Sequence, residues 1–359
     1  MAGQWPVSAA RRWGAPRRVE GSPGYPVTGL VTVEEIRAAA ARLDGAIVTT
    51  PLVPFPGVEP RLLIKPECLQ PVGSFKLRGA YSAISALPEQ ARRRGVVAHS
   101  SGNHAQAIAY AAALLGVPAT VVVPDNAPEA KLGPTRRLGA QIVPCQPTLA
   151  ARIAATEHLI SRYGYTLIPP FDHRDVIAGQ GTIGLEIAAQ CPDVDLVAVP
   201  ISGGGLISGI AAAIRATCPG ARVIGVEPEL AADARDSFRQ RERVAWPASA
   251  TQRTVADALR VEQIGALAFQ HILSLVDDVV TVTEDEIRAA MRRTAAQAHL
   301  VAEPGGAVAI AACLSGRDLP PAQAPVAVLS GGNVDPAAFA AVLARGSDPP
   351  DPPMAERPQ

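Results

Sequence analysis

The residue in this sequence best suited to covalent chemistry is Lys76. It lies in the stretch Lys65-Pro66-Glu67-Cys68-Leu69-Gln70-Pro71-Val72-Gly73-Ser74-Phe75-Lys76-Leu77-Arg78-Gly79-Ala80. The stretch begins where the apolar run Leu62-Leu63-Ile64 ends, and it leads into an Ala-rich helix expected over 80–87. Lys76 therefore falls at a strand-to-helix junction between Phe75 and Leu77. Apolar neighbours disfavour an ammonium ion and lower its pKa. A lysine that is partly neutral near pH 7 can act as a nucleophile and form a Schiff base. The plainer alternative is a lysine on a surface turn, where most lysines lie.

Three other stretches stand at expected strand ends. Ser100-Ser101-Gly102-Asn103-His104 precedes a helix start, where free backbone N–H groups and the helix dipole favour an anion such as a carboxylate. Simple N-capping would need only one of these residues. Ser202-Gly203-Gly204-Gly205-Leu206 also opens a helix, and consecutive glycines let backbone N–H groups converge on a phosphate. Ser330-Gly331-Gly332-Asn333 places a neutral hydroxyl at the end of a third strand, although alone it is a common turn sequence.

The glycine loop has a competing reading as a dinucleotide fingerprint, with Glu227 at the end of the next strand as the ribose-binding acid. The third glycine of that pattern is missing, because the position holds Ser208. A nicotinamide dinucleotide would also leave Lys76 and Ser330 without work. A phosphorylated aldehyde that condenses with an amino acid uses all four features, and pyridoxal phosphate fits that description.

The elements that must carry these residues alternate. Strands are expected at 62–65, 95–99, 119–123, 141–143, 165–168, 196–201, 223–226, 278–282 and 326–329, with a short one at 47–48. Helices are expected at 33–43, 128–138, 149–163, 182–190, 206–216, 284–298 and 304–314, and from 104 to 115. Thr32 and Glu35 form a capping box for the first of these. The stretch 233–254 is polar, Arg-rich and weakly periodic. The alternation predicts an α/β fold with parallel sheets. About ten strands are many for one open sheet, so two sheets in two domains are expected. Ligands in such folds bind at the carboxyl ends of strands, where the four stretches lie.

Composition narrows the function. Hydrophobic residues make up 48% of the 359, enough for large cores, and aromatics only 4%, so small aliphatic side chains carry the packing. The 33 basic and 33 acidic residues cancel, which gives no electrostatic footprint for nucleic acid or a membrane surface. The longest apolar region, 105–123, is broken by Gly116 and Pro118 and does not read as a membrane span. Cys68, Cys145, Cys191, Cys218 and Cys313 form no CxxC and read as free thiols of a reducing, cytoplasmic compartment. Cys68 reads as a small buried residue rather than a reactive one. Residues 1–30 and 346–359 read as disordered extensions, the second Pro-rich.

Five motifs in consistent order resemble the threonine dehydratase and serine racemase family, which are pyridoxal-phosphate enzymes of the tryptophan-synthase β-subunit fold. They are Ser74-Phe75-Lys76-Leu77-Arg78-Gly79-Ala80, Ser100-Ser101-Gly102-Asn103-His104-Ala105-Gln106, Ala178-Gly179-Gln180-Gly181-Thr182, Ser202-Gly203-Gly204-Gly205-Leu206 and Ser330-Gly331-Gly332-Asn333. The resemblance spans about residues 30–345. It implies a discontinuous large cofactor-binding domain, 31–90 with 170–345, and a small domain, 91–169.

The resemblance also implies roles. Lys76 would be the Schiff-base lysine and the base that removes the Cα proton. Phe75 would lie near the cofactor ring, and Asn103 would hydrogen-bond its ring oxygen. Gly203, Gly204, Gly205 and Leu206 would bind the phosphate, and Ser330 the pyridine nitrogen. Ser100, Ser101, Asn103 and His104 would surround the substrate carboxylate, His104 without an acid–base role. Ser101 would be the base on the opposite face in racemases. Glu227, Asp233 and the carbonyl of Ala231 resemble the family's site for Mg2+ or another divalent cation; the alternative is a solvated acidic loop. The link from Thr50 to Leu62 is shorter than is usual in the family, which leaves the shape of the substrate entrance open.

The resemblance implies a threonine or serine ammonia-lyase and, with nothing after residue 345 that could form the family's regulatory domain, one of the short catabolic type without feedback control by isoleucine. It would be a homodimer acting on an amino acid. A serine or hydroxyaspartate racemase shares the same parts. A NAD-dependent dehydrogenase and an inert small-molecule sensor are the readings from other classes.

Overall fold

A computed structural model describes residues 29–344 except 60, 128 and 317. Of the extension expected over 1–30 all but residues 29 and 30, and of the chain end the whole tail expected over 346–359, lie outside the described residues. Ten strands are described: β1 (Val53–Pro54), β2 (Leu63–Pro66), β3 (Val96–His99), β4 (Ala119–Pro124), β5 (Gln141–Cys145), β6 (Thr166–Leu167), β7 (Leu196–Pro200), β8 (Arg222–Pro228), β9 (Asp278–Val282) and β10 (Pro325–Leu329). They form a six-stranded sheet in the order β1-β2-β10-β7-β8-β9 and a four-stranded sheet in the order β5-β4-β3-β6. Every pairing is parallel except that of β1 with β2. The expected strand at 47–48 does not form; the edge strand is β1, from the loop that follows it.

Parallel sheets need cover on both faces. In β7, Val197 and Val199 enter one core cluster, whereas Leu196 and Ala198 enter the other. Val326 and Val328 of β10 alternate in the same way with Ala327 and Leu329. Helices Arg174–Gln190 and Gly205–Thr217 help cover the first face, and helix Pro304–Ser315 covers the second.

Two helices begin earlier than expected. The helix expected at 80–87 is Lys76–Ala86, and the one expected at 182–190 is Arg174–Gln190. Glycines inside these helices are there for packing. A Cβ on Gly79 would overlap the Gln180 side chain, and one on Gly179 would lie 2.5 Å from the Arg78 carbonyl oxygen. The helix expected over 284–298 is regular only for Glu284–Arg293 and closes in a π turn, Thr294–Ala298. The weakly periodic stretch after 233 contains helix Asp233–Gln240.

Candidate active site

The register of the large sheet brings three chemical stretches together. Leu329 of β10 pairs with Pro66 of β2, and Ala327 pairs with Ala198 of β7. The carboxyl ends of these three adjacent strands therefore lie side by side. They deliver the lysine stretch, Ser330 and the glycine loop. Two further links tighten the first pair: Ser74 and Gly331 form an isolated bridge, and the Phe75 N–H donates to the Ser330 carbonyl at 3.0 Å.

Lys76 is the first residue of its helix, not a loop residue ahead of it. Its Nζ donates to the Pro170 carbonyl at 2.6 Å and sits 5.0 Å from the centre of the Phe75 ring. Burial lowers its pKa to about 8, only partly opposed by the negative charge of Glu303. Cys68 is inert by the same cause: burial pushes its thiol up to about 12.

The glycine loop is a steric necessity. Gly204 has φ +91, and a Cβ there would lie 2.8 Å from that of Ala268. One on Gly203 would overlap the Phe171 ring, and one on Gly205 would lie 2.7 Å from the Phe171 carbonyl oxygen. The helix Gly205–Thr217 starts here with no side-chain cap. Its first N–H groups are therefore presented to the space beyond the strand ends. Leu206 is buried beneath them and Ser330 is almost wholly buried.

The second uncapped helix start belongs to the small sheet. Helix Asn103–Leu115 follows β3, and its N-cap, Gly102, offers no side chain. Ser100, Ser101 and Asn103 are half-buried. Ser100 Oγ accepts from the Gly102 N–H at 3.3 Å. His104 Nε2 lies 2.9 Å from the Ile168 carbonyl oxygen, and burial pushes its pKa down to about 3. The imidazole is thus neutral, with its proton on Nε2 donated to the Ile168 carbonyl.

Asn103 Nδ2 donates to Glu303 Oε1 at 2.7 Å, and Asn103 Oδ1 accepts from Asn333 Nδ2 at 2.8 Å. These bonds tie the small-sheet helix to the large sheet. Glu303 carries no signal in the sequence beyond its place just ahead of the helix expected from Pro304. Asn333 stood inside a noted motif without a role.

Glu227 and Asp233 are both fully buried, so the solvated-loop alternative does not hold. The Glu227 carboxylate accepts from the backbone N–H groups of Ala234 and Arg235 at 3.1 and 2.7 Å. Both oxygens of Asp233 are buried without a hydrogen-bond partner. Burial raises the pKa of both groups, that of Asp233 to about 7. Ala231, also buried, lies between them in sequence. Among the described residues no three His, Cys, Asp or Glu side chains are grouped for a metal ion. A cation here would need backbone carbonyl and water ligands to complete its shell.

The protein-family description "Pyridoxal-phosphate dependent enzyme" matches residues 43–331. The chain belongs to this family. It is 41% identical over 314 residues to the L-threonine ammonia-lyase of Thermotoga maritima, covering 85% of this chain and 76% of that protein. It is 38% identical over 323 residues to the L-threo-3-hydroxyaspartate ammonia-lyase of Saccharomyces cerevisiae, covering 89% and 98%. Among solved structures it is similar to the serine racemase of Dictyostelium discoideum, with a TM-score of 0.80 at 38% identity, covering 85% and 99%. Family membership takes the glycine loop away from the dinucleotide reading. The uncapped glycine cradle and the deprotonatable lysine beside it fit the family's cofactor. No helix among the described residues is long and apolar enough to cross a membrane.

Proposed function

We propose that this protein is a pyridoxal-phosphate-dependent ammonia-lyase that converts a β-hydroxyamino acid, threonine or serine, to a 2-oxo acid and ammonia. The observation that carries this reading is the meeting of a lysine whose pKa is lowered to about 8 with an uncapped glycine cradle at adjacent strand ends. The names of the relatives support the substrate class.

In this reading Lys76 holds the cofactor covalently, with the backbone N–H groups of Gly203, Gly204, Gly205 and Leu206 on its phosphate. Phe75, Asn103 and Ser330 contact its ring. Pyridoxal phosphate supplies an electron sink for the negative charge left at the substrate Cα. Ser100, Ser101 and the backbone at Asn103 and His104 hold the substrate carboxylate at the helix start. Lys76, neutral when its amine is displaced, takes the Cα proton. It can return that proton to the departing β-hydroxide, so that water leaves. The enamine released then takes up water and gives the 2-oxo acid and ammonia.

Glu227, Asp233 and the Ala231 carbonyl are proposed to hold Mg2+ or another divalent cation, which would neutralise the two buried carboxylates. The division into a large cofactor domain, 31–90 with 170–345, and a small domain, 91–169, is supported by the two sheets. A reducing, cytoplasmic setting is supported by the five free cysteines, and a homodimer by the family resemblance. A racemase is the second reading, because Ser101 stands on the carboxylate-facing loop. A panel of β-hydroxyamino acids assayed for 2-oxo-acid release, with chiral analysis of residual serine, tests both. Racemised serine without 2-oxo acid would replace the first reading by the second.

A further inference from the structure

Glu303 occupies a helix N-cap, a position where Ser, Thr, Asp or Asn usually stands. It immediately precedes Pro304 at the start of helix Pro304–Ser315, yet its side chain makes no capping bond. It is 5% exposed, so the diversion of a charge from the helix end has a desolvation cost that something must offset. The carboxylate turns instead to Asn103 Nδ2, 2.7 Å away. Room for it comes from Gly331, where a Cβ would overlap Glu303 Oε1.

The bonds beyond Asn103 have a fixed polarity. Asn333 Nδ2 donates both to Asn103 Oδ1 at 2.8 Å and to the Val72 carbonyl at 2.7 Å. The two ends of this chain, a backbone carbonyl and a carboxylate, can only accept. That dictates which way both amides face. Asn333 must turn its nitrogen to Val72, and Asn103 must turn its nitrogen to Glu303. One hydrogen of Asn103 Nδ2 is spent on Glu303, and the second remains for a ligand.

We propose that Glu303 is a positioning residue for the cofactor: its carboxylate fixes the Asn103 amide so that the second N–H is presented to the anionic ring oxygen of pyridoxal phosphate. The inference rests on the cofactor reading above. Without the acceptor, the Asn103 amide is held only by Asn333. A rotated amide would then turn its oxygen toward an anion. Glu303 also faces Lys76, so a test must separate the hydrogen bond from the charge. Glu303→Gln keeps an acceptor and removes the charge, whereas Glu303→Ala removes both.

The test is a double-mutant cycle on the dissociation constant for pyridoxal phosphate, measured by absorbance on the full-length chain freed of cofactor. Glu303→Ala should weaken binding about tenfold, the scale of a charge-assisted hydrogen bond. Glu303→Gln should recover most of that loss. In an Asn103→Ala background, Glu303→Ala should cost less than about twofold, because the group it orients is gone. If Glu303→Ala does not fold, Glu303→Met has nearly the same length without an acceptor and must show the same dependence on Asn103. Losses that add in full across the two sites, or a Gln variant no better than Ala, would overturn the proposal alone. Failure of the wild-type chain to take up pyridoxal phosphate, or uptake unaffected by Asn103→Ala, would overturn the underlying reading together with the proposal.

Discussion

Lys76 Nζ donates to the carbonyl of Pro170, 94 residues away, at 2.6 Å. The bond parks the amine at the junction of the two sheets, where burial lowers its pKa to about 8. Below that pH the amine is an ammonium ion and cannot attack a carbonyl. Capture of pyridoxal phosphate by the cofactor-free chain should therefore speed up about tenfold per pH unit below about 8 and level off above it. Stopped-flow absorbance from pH 6 to 10 measures this. A rate that keeps climbing to pH 10 would mean an ordinary exposed lysine.

In the proposed mechanism elimination and racemisation separate at Ser101. Both would begin with proton removal by Lys76, but racemisation also needs a proton donor on the opposite face. Ser101→Ala should abolish any racemisation and any turnover of D-serine while keeping measurable L-threonine deamination. Chiral chromatography alongside 2-oxo-acid release reads both. Loss of deamination as complete as in Lys76→Ala would show that Ser101 is essential to elimination itself.

The helix that carries Lys76 is pinned by a buried ion network two residues on. Arg78 is fully buried; its Nε and Nη2 donate to Glu67 at 2.7 and 2.8 Å, and its Nη1 donates to Glu186 at 2.5 Å. Lys65 closes the network on Glu186 at 2.6 Å. Burial alone would raise the pKa of Glu67, and Arg78, with Thr50 and Lys65, more than offsets it, so the pKa is lowered. The stability Glu67 contributes is therefore present above its ordinary value of 4.5 and lost as the pH falls below it. Arg78→Met leaves the fully buried Glu67 carboxylate without its guanidinium partner, while Glu186 keeps Lys65, and should cost about 3–5 kcal/mol in urea unfolding. A cost below about 1 kcal/mol, the range of an exposed pair, would contradict this account.

How much of this was legible depended on whether the signal was local. Lys76, the glycine loop and Ser330 could be found because each follows an apolar strand, and the strand-end rule then predicts their convergence. Glu303 could not be found, because its partner Asn103 lies 200 residues away and its own neighbourhood reads as a helix start. The same is true of Arg78 and Glu186, which are 108 residues apart. The early start of helix Arg174–Gln190 was hidden for another reason. Gly179 and Gly181 lower helix propensity, and only the close approach of Arg78 and of Gly209 explains why the positions hold glycine.

The carboxylates of Glu227 and Asp233 predict a response to divalent ions. Mg2+ or Mn2+ at about a hundredfold excess over its dissociation constant should stabilise the folded chain by about 2.7 kcal/mol. Thermal unfolding with and without the ion measures this. Glu227→Ala and Asp233→Ala should lose the shift. An equal shift in the wild type and both variants would remove the cation from this loop.

The most direct measurement is on Lys76 itself. The chain has three lysines, at 65, 76 and 131, and Lys65 is already committed to Glu186. Pyridoxal phosphate is added to the purified protein, the mixture is reduced with borohydride, and the digest is read by mass spectrometry. The protein should be yellow before reduction and carry the label on Lys76, and Lys76→Ala should release no 2-oxo acid from threonine or serine. A label on Lys65 or Lys131, or 2-oxo-acid release that survives Lys76→Ala, would contradict this.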